Sequence, residues 1–316
     1  MAYTFATILT LRFTLLGGAE VIGGFSMKTQ GIKKENRVGF IILVPFLIGF
    51  LSFYIFPFLV SISYTFTSGT GLGGNYVGFR NYVSVFGSAA FILAVKNTFR
   101  FLALGLPIII ILSFIIASLL FNAFRGSKFF RSVFLFPLVV PIGAIVMFVQ
   151  VFFADSGVLN TLLASLGVTV DSSWLFGERA FWVLILLYVW KNCGYNIILF
   201  LAGFNYIPKS MYESASVHGA SKLQILRFIT LPMMRNSFFF VFVISIINIF
   251  KSFREAYLIG GSLPHESIYM LQHFMSNNFK NLNYQRLSIA SFIVFSIIFI
   301  LVFFLYRSWR KTGVSL

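Results

Sequence analysis

Long apolar runs without charged residues, each long enough to cross a lipid bilayer, recur along this chain of 316 residues. A membrane-spanning helix needs about 20 predominantly apolar residues. Because lipid offers the backbone no hydrogen-bond partners, each such run is predicted to be helical. The predicted spans cover residues 38–66, 95–122, 129–153, 180–203, 236–259 and 287–306. The sequence therefore predicts an all-α integral membrane protein with six transmembrane helices.

The composition supports the membrane class. Hydrophobic residues make up 59% of the chain and charged residues only 10%, whereas soluble domains carry about 25% charged residues. The net charge of +16 would indicate nucleic acid for a soluble protein. Here it indicates loops that face anionic membrane lipid, and no nucleic-acid partner is expected. The single Cys193 excludes an internal disulfide framework and a cysteine metal cluster, and no metal site is expected at the three histidines.

The distribution of basic residues predicts the orientation of the spans. With the N-terminus inside, the cytoplasmic segments collect fourteen Lys and Arg residues, and the outer loops collect six. Membrane proteins concentrate Lys and Arg in their cytoplasmic loops. Both the N- and C-termini are therefore predicted to be cytoplasmic, and so is the polar segment between spans four and five.

The first 27 residues are predicted to be an N-terminal extension that the protein can dispense with. Residues 3–25 are apolar, but Arg12, Glu20 and two Gly-Gly pairs weaken them as a span. No signal-peptide cleavage site follows a basic segment there. The predicted organisation is an extension at 1–27, a segment with the first span at 28–92, a transmembrane domain at 93–306 and a cytoplasmic tail at 307–316.

A polar stretch, "YESASVHGASKLQILRFITLPMM" at 212–234, interrupts the apolar runs. Pro208 opens a first short helix, Gly219 permits a sharp turn, and Pro232 closes a second, amphipathic helix. The spacing predicts an apolar face of Leu223, Leu226 and Ile229 on the second helix. The stretch is predicted to be a cytoplasmic helix–turn–helix carried by two transmembrane helices. The alternative is an amphipathic loop that lies on the lipid surface.

The same stretch resembles the EAA loop of ABC importer membrane subunits, which reads E-A-A-x3-G-x9-I-x-L-P. The matching residues are Glu213-Ser214-Ala215, Gly219 and Ile229-Thr230-Leu231-Pro232, and the spacing agrees at every step. This sequence departs from the family pattern at Ser214, where the family has Ala, and at His218, where sugar importers commonly have Asp.

The resemblance extends well beyond the loop. It continues upstream through 190–215, "WKNCGYNIILFLAGFNYIPKSMYESA", and downstream to 253–275, "FREAYLIGGSLPHESIYMLQHFM". It covers most of the chain from about 93 to 306. The chain is similar to carbohydrate-type permeases related to the first maltose permease subunit. The resemblance implies the type I ABC importer transmembrane fold in a bacterial cytoplasmic (inner) membrane.

The resemblance also implies partners. A sugar or oligosaccharide would arrive on an extracytoplasmic solute-binding protein, with residues 154–180 and 260–286 as the expected docking surface. A second homologous permease subunit would complete the pathway. The chain lacks a G-x4-G-K-[ST] phosphate loop, so two partner ATPase subunits would bind and hydrolyse ATP. The chain itself is expected to be neither an enzyme nor a cofactor-binding protein.

The resemblance assigns the polar hairpin to ATPase coupling. Glu213 is the expected charged contact with the ATPase, and Gly219 provides the turn. The expected coupling residues are Met211, Tyr212, Glu213, Ala215, His218 and Gly219. The alternative for Glu213 is a solvated charge on the helix surface.

Two polar stripes in spans four and five are the candidate substrate path. Ionisable residues at bilayer depth are costly and usually face a bundle interior or a wet cavity, and Lys191 lies near the middle of span four. The resemblance implies that these stretches contact the sugar. The candidate residues are Lys191, Asn192, Tyr195, Ser245, Asn248 and Ser252. The alternative is polar bonding between packed helices.

The charged residues of these two spans have structural alternatives as well. Lys191 would serve equally well in a structural ion pair, including one with a partner subunit. In span five, Arg254 and Glu255 would form an internal pair near the outer end, beside Lys251.

Three other functions stay open at this point. A stand-alone secondary transporter or channel is one, although no inverted repeat or filter-like motif supports it. A membrane enzyme would use Lys191 with His265 or His273, which are predicted to lie in an outer loop far from Lys191. An ABC importer for a non-sugar solute is the third.

Overall fold

The computed structural model describes residues 41–69, 74–121, 127–168 and 173–310. The predicted extension at 1–27 and the last residues of the predicted tail, 311–316, lie outside this part of the chain. The chain divides into two compact units, the first ending at Phe58 and the second beginning at Leu59.

The described residues are mostly helical. Helices α1 to α7 are Ile41–Phe66, Arg80–Phe86, Ala89–Phe121, Ser127–Val139, Ile142–Phe152, Val158–Ser165 and Ala180–Tyr206. Helices α8 to α14 are Lys209–Val217, Lys222–Ile225, Leu231–Met233, Arg235–Lys251, Phe253–Gly260, Leu271–Lys280 and Tyr284–Arg310. A 3-10 turn covers Glu266–Ile268. Two short strands, β1 (Thr67–Ser68) and β2 (Asn75–Tyr76), form an antiparallel pair.

Six stretches of helix match the six predicted spans. Five of them are long and apolar enough by themselves: α1, α3, α7, α11 with α12 as one stretch, and α14 to Arg307. The sixth is α4 with α5, which passes the same length and composition test as a pair. The prediction of six spans is therefore confirmed when this pair counts as one.

The third predicted span, 129–153, is not a straight helix. Its two halves, α4 and α5, meet at an angle of 96°. Pro141 precedes α5 with an extended backbone, φ −57° and ψ 136°. A proline lacks the amide hydrogen that would continue the helix, and it disfavours helical conformation at the residue before it. The sequence shows this proline, but the bend angle also depends on how the two halves pack against neighbouring helices.

Two widened helical turns precede prolines. Leu51–Ile55 and Leu226–Thr230 are π-helical, and in each case the amide before the proline bonds to the carbonyl five residues earlier. Pro57 and Pro232 follow these turns after one intervening residue each. A proline ring clashes with the carbonyl four residues before it. The wider turn relieves this clash and lets the helix continue through the proline.

Helix α7 is the central helix of the second unit. Of its apolar stretch, 61% is buried, against 33% for α3 and 17% for α14. Helices α3, α4 and α11 pack around it. Phe101 of α3 packs edge-on against Phe181 and Tyr188 of α7, and near the other end Phe114 contacts Phe200. The aromatic side chains that make the chain so hydrophobic thus fill the spaces between spans.

The connection between α12 and α14 is fixed to the start of α3 by hydrogen bonds. The side-chain amide of Asn97 donates to the carbonyl of Tyr269 at 2.9 Å. The hydroxyl of Thr98 accepts from the backbone amide of Leu271 at 3.0 Å. All four residues are buried. This connection is therefore a packed part of the second unit.

Helix α4 comes very close to the backbone of α7 at a glycine. A Cβ atom at Gly194 would overlap the carbonyl of Phe134. The contact therefore requires glycine, and any larger side chain forces the two helices apart. By contrast, a Cβ atom at Gly143 in α5 would meet no atom within 4 Å.

We predict that Gly194→Ala destabilises the protein and that Gly143→Ala does not. Overpacking of a close contact costs about 1–3 kcal/mol, while alanine stabilises a helix relative to glycine by about 0.5–1 kcal/mol. The apparent melting temperature of the detergent-purified chain should therefore fall for Gly194→Ala and stay level or rise for Gly143→Ala. Equal melting temperatures for the two variants would contradict the close approach of α4 and α7.

Candidate functional site

A cavity of about 420 Å³ opens between α7 and the α11–α12 stretch. Its lining is mixed, with apolar side chains, amides and four charged groups. The lining residues are Leu138, Lys191, Asn192, Tyr195, Ile244, Ile247, Asn248, Lys251, Ser252, Arg254 and Glu255. Both helices belong to stretches apolar enough to cross a membrane, so this polar group lies within otherwise apolar surroundings.

Helical periodicity brings these side chains to one face. In α7, Lys191, Asn192 and Tyr195 follow the i, i+1, i+4 spacing of one helix face. In α11, Ile244, Ile247 and Asn248 begin a stripe with i, i+3, i+4 spacing, and Lys251 and Ser252 continue it. The helix breaks at Ser252, where ψ is −6°. Beyond the break, α12 adds its first-turn residues to the cavity.

Five of the six predicted substrate-path residues line the cavity. These are Lys191, Asn192, Tyr195, Asn248 and Ser252. Tyr195 is 40% exposed, whereas Asn192 and Ser252 are almost fully buried. Asn192 donates to the carbonyl of Tyr188 at 2.9 Å, and Ser252 donates to the carbonyl of Asn248 at 3.1 Å. Their roles as substrate contacts stay predictions.

Ser245 does not line the cavity, contrary to its predicted place on the substrate path. Its side chain is 1% exposed and accepts a hydrogen bond from the amide of Asn196 at 2.9 Å. Its carbonyl accepts from the hydroxyl of Tyr188 at 3.0 Å. For Ser245 the alternative therefore holds: its polar groups join α7 to α11, because buried polar groups need hydrogen-bond partners.

Lys191 forms an ion pair within the chain. Its Nζ atom lies 2.5 Å from Oε1 of Glu255 in α12. The sequence left open an ion pair of Lys191 with a partner subunit, and it predicted an ion pair between Glu255 and Arg254. In the structure, Lys191 and Glu255 pair with each other instead. Sequence reasoning did not count Glu255 as a site residue. The sequence did contain a signal for Glu255, because a lysine inside an apolar span needs a nearby acidic side chain to balance its charge.

The ion pair leaves an excess of positive charge around the cavity. Lys251 and Arg254 are exposed. In the described part of the chain, neither has an ion-pair partner within 4.0 Å. Glu255 is 4% exposed, and its second carboxylate oxygen, Oε2, has no hydrogen-bond partner among the described residues. The cavity therefore offers two cations and one unpaired acceptor to a ligand.

The polar stretch after α7 forms the predicted helix–turn–helix, α8 and α9. Gly219 has φ +76°, a left-handed conformation that favours glycine. Ser221 caps α9 through a reciprocal pair of hydrogen bonds with Gln224, at 3.3 and 2.8 Å. This part of the sequence prediction is confirmed, and the local signals that carried it were the glycine and the flanking prolines.

The hairpin divides its predicted coupling residues between two sides. Met211, Glu213, His218 and Gly219 are exposed. Tyr212 is half-buried against Phe121 of α3, with its hydroxyl 3.4 Å from that of Thr230, and Ala215 is half-buried too. The expected place of Tyr212 in a partner's cleft does not fit this inward contact. Tyr212 instead connects the hairpin to the spans.

Apolar side chains are exposed on the hairpin. Val217, Leu223 and Phe228 are 84%, 73% and 68% exposed. Of the predicted apolar face of the second helix, Leu223 is exposed, whereas Leu226 and Ile229 are half-buried. Phe228 also borders a groove of about 340 Å³ with His218 and Gly219. Exposed apolar patches of this kind are typical of surfaces that bind a protein partner.

His273 lies away from the cavity. It is fully buried against Phe253 and Tyr269, and burial lowers its pKa to about 4. Its Nδ1 atom accepts a hydrogen bond from the backbone amide of Met270 at 3.1 Å, and this bond caps α13. His265 is bonded locally to Ser267. Neither histidine lines the cavity that contains Lys191, so the membrane-enzyme hypothesis has no acid–base constellation there.

Comparison with known proteins identifies the family. Residues 105–311 match the family described as binding-protein-dependent transport system inner membrane component. The probable ABC transporter permease protein YesP of Bacillus subtilis is 33% identical over 84% of this chain and 86% of that protein. The lactose transport system permease protein LacF of Rhizobium radiobacter is 29% identical over 69% of this chain and 74% of that protein.

A solved structure supports the fold independently. A crystal structure of a bacterial alginate ABC transporter, in complex with an alginate pentasaccharide-bound periplasmic protein, contains a similar chain. The TM-score is 0.77 at 24% identity, with 92% of this chain and all of that chain covered. The predicted type I ABC importer transmembrane fold is confirmed.

This chain belongs to the binding-protein-dependent transport inner membrane component family. It is a permease subunit, as the resemblance of the hairpin implied. A stand-alone secondary transporter or channel does not fit a family whose members work with a binding protein.

We predict that the two members of the Lys191–Glu255 pair are energetically coupled. Removing one partner of a fully buried ion pair costs about 3–5 kcal/mol, because the other charge stays buried and unpaired. The cost should be smaller here, since the side chain of Lys191 is 22% exposed. Lys191→Met and Glu255→Gln should therefore each lower the apparent melting temperature of the purified protein. The double variant Lys191→Met/Glu255→Gln should lose much less than the sum of the two changes.

Lys96 provides the control for this experiment because it is exposed on α3, outside the cavity. Lys96→Met should leave the melting temperature almost unchanged, since surface substitutions usually alter stability by about 0.5 kcal/mol or less. Additive losses in the Lys191/Glu255 double variant would show that the pair contributes no coupling energy.

Proposed function

We propose that this permease subunit imports a sugar or oligosaccharide that an extracytoplasmic binding protein delivers, with ATP hydrolysis as the energy source. The observation that carries the proposal is the cavity between α7 and the α11–α12 stretch. It brings five candidate contacts from two separate spans together. Its place in a chain of this family makes it the candidate translocation site.

The chemistry of the cavity suits a sugar. Tyr195 offers an aromatic face to the C–H face of a sugar ring, and Asn192 and Asn248 offer amide groups to hydroxyls. A volume of about 420 Å³ falls within the range of about 300–1,000 Å³ that is typical of small-molecule sites. A second, homologous permease subunit would supply the other wall of the pathway. The lactose relative supports the same substrate class.

The hairpin of α8 and α9 is the proposed contact with an ATPase. Val217, Leu223 and Phe228 would enter an apolar cleft, and Glu213 would pair with a basic residue beside it. Tyr212 ties the hairpin to α3 through its contact with Phe121, and its hydroxyl lies 3.4 Å from that of Thr230, close to the start of α11. A movement of the ATPase would therefore be transmitted to α3 and α11 through packed side chains and would not be absorbed by a flexible loop.

The remaining partners follow from this scheme. Two ATPase subunits would bind and hydrolyse ATP, and this chain would bind neither ATP nor another cofactor. Residues 154–180 and 260–286 would form the outer docking surface for the binding protein. Both termini would lie in the cytoplasm, and the complex would reside in a bacterial cytoplasmic (inner) membrane.

Purification of the tagged full chain from its native membrane tests the proposal. We expect a second permease-like chain, an ATPase and a solute-binding protein to co-purify, as identified by mass spectrometry. An unrelated tagged membrane protein from the same cells controls for nonspecific capture. Recovery of a homo-oligomer without an ATPase would overturn the proposed function.

We predict that Glu213→Lys weakens coupling in this complex. The reversed charge would repel a basic contact on the ATPase, and a loss of about 1.4 kcal/mol corresponds to a tenfold effect. Substrate-stimulated ATP hydrolysis in proteoliposomes should fall by about that factor, while the basal ATPase rate and membrane insertion stay unchanged.

Ser214→Ala is the matched control for this variant. Ser214 is exposed beside Glu213 on the same helix, and alanine is the residue that the family pattern has there. This control should keep wild-type stimulation. Wild-type stimulation in Glu213→Lys as well would remove Glu213 from the coupling contact.

A further inference from the structure

We propose that the cavity binds an anionic saccharide, with the acidic group of the sugar held between Lys251 and Arg254. This inference rests on the proposed function and names the substrate class of the same site. The acidic group is a carboxylate, as in a uronic acid, or a phosphate ester. Both carry the oxygen anions that Lys and Arg side chains bind.

The charge balance of the cavity is the first observation. Three basic side chains and one acidic side chain line it. Glu255 neutralises Lys191 at 2.5 Å. In the part of the chain that the structure describes, Lys251 and Arg254 have no acidic partner within 4.0 Å. Two positive charges therefore remain for a ligand.

The position of these two cations is the second observation. Both belong to the stretch Arg235–Gly260, which is apolar enough to cross a membrane. They lie near the end of this stretch and line the cavity, and ionisable residues that line a cavity in such a stretch are candidates for a substrate pathway. Lys251 and Arg254 line the same cavity, so their like charges repel each other. An anion between them removes this repulsion.

The unpaired oxygen of Glu255 is the third observation. Glu255 is 4% exposed, yet its Oε2 atom has no hydrogen-bond partner among the described residues. It belongs to a residue that lines the cavity. A carboxylate oxygen accepts hydrogen bonds, and a sugar hydroxyl donates one. A simple inorganic anion would satisfy the cations but would leave this acceptor without a donor.

Together the groups define an orientation for the ligand. The acidic group lies at Lys251 and Arg254, while a hydroxyl donates to Glu255. The ring of Tyr195 and the amides of Asn192 and Asn248 remain for the body of the sugar. The Lys191–Glu255 pair carries no net charge, so Lys191 is not free to bind an anion. The acidic group is therefore directed towards Lys251 and Arg254, whose charges no acidic side chain of the described residues neutralises.

The first experiment identifies the cargo of the native complex. The binding protein that co-purifies with the full chain is denatured, and the released saccharide is analysed by mass spectrometry. We expect a saccharide with at least one acidic group, and its mass distinguishes a carboxylate from a phosphate ester. A neutral saccharide would overturn this inference and leave the proposed function standing. Failure to recover any ATPase or binding protein would overturn the proposed function itself.

The second experiment tests the two cations directly. The complex is reconstituted in proteoliposomes with its loaded binding protein, and uptake of the acidic cargo is measured for Lys251→Gln/Arg254→Gln. We expect uptake to fall by about tenfold or more, because each lost charge-assisted contact weakens binding of the anion. The matched control is Arg80→Gln/Lys96→Gln, which removes one Arg and one Lys that are exposed outside the cavity.

A charge-preserving variant guards against misfolding. Lys251→Arg/Arg254→Lys keeps both positive charges and should retain most of the uptake. The cavity variant and the surface control should show the same binding to the ATPase subunits. Equal uptake by Lys251→Gln/Arg254→Gln and the surface control would overturn the assignment of the acidic group to these two residues.

Discussion

A single charge in the middle of α7 governs the arrangement around the cavity. Lys191 lies in a helix that is mostly buried and apolar, where an unpaired ammonium group is costly. Glu255 provides the counter-charge from α12. For the two to meet, the α11–α12 stretch must pack beside α7. The ion pair therefore fixes the same interface that forms the cavity.

Neutral hydrogen bonds complete that interface. Tyr188 and Asn196 of α7 both bond to Ser245 of α11, one to its carbonyl and one to its hydroxyl. Apolar packing alone gives little preference for one neighbour over another inside a membrane, since lipid is equally apolar. Hydrogen bonds and the Lys191–Glu255 ion pair therefore determine how the α11–α12 stretch packs against α7. Gly194 allows the close approach of α4 to α7.

The sequence predicted the fold well because span length and charge placement are properties of single segments. It also predicted five of the cavity residues, since polar side chains on one face of an apolar helix usually face a cavity or another helix and not the lipid. It did not separate Ser245 from Asn248, because both fit the stripe and their roles depend on which neighbour each meets. The pairing of Lys191 with Glu255 and the bend at Pro141 depend on contacts between distant segments, which one sequence does not show.

The widened turn before Pro232 changes the angular phase of the chain. A π turn contains about one residue more than an α turn, so everything beyond it is rotated by about 100° relative to an ideal helix. Leu223 lies before the turn Leu226–Thr230 and is exposed, while Thr230 at its end is buried. The two sides of the turn therefore cannot be drawn on one helical wheel. A series of substitutions across this segment should therefore be interpreted with one helical wheel for the residues before the turn and another for the residues after it.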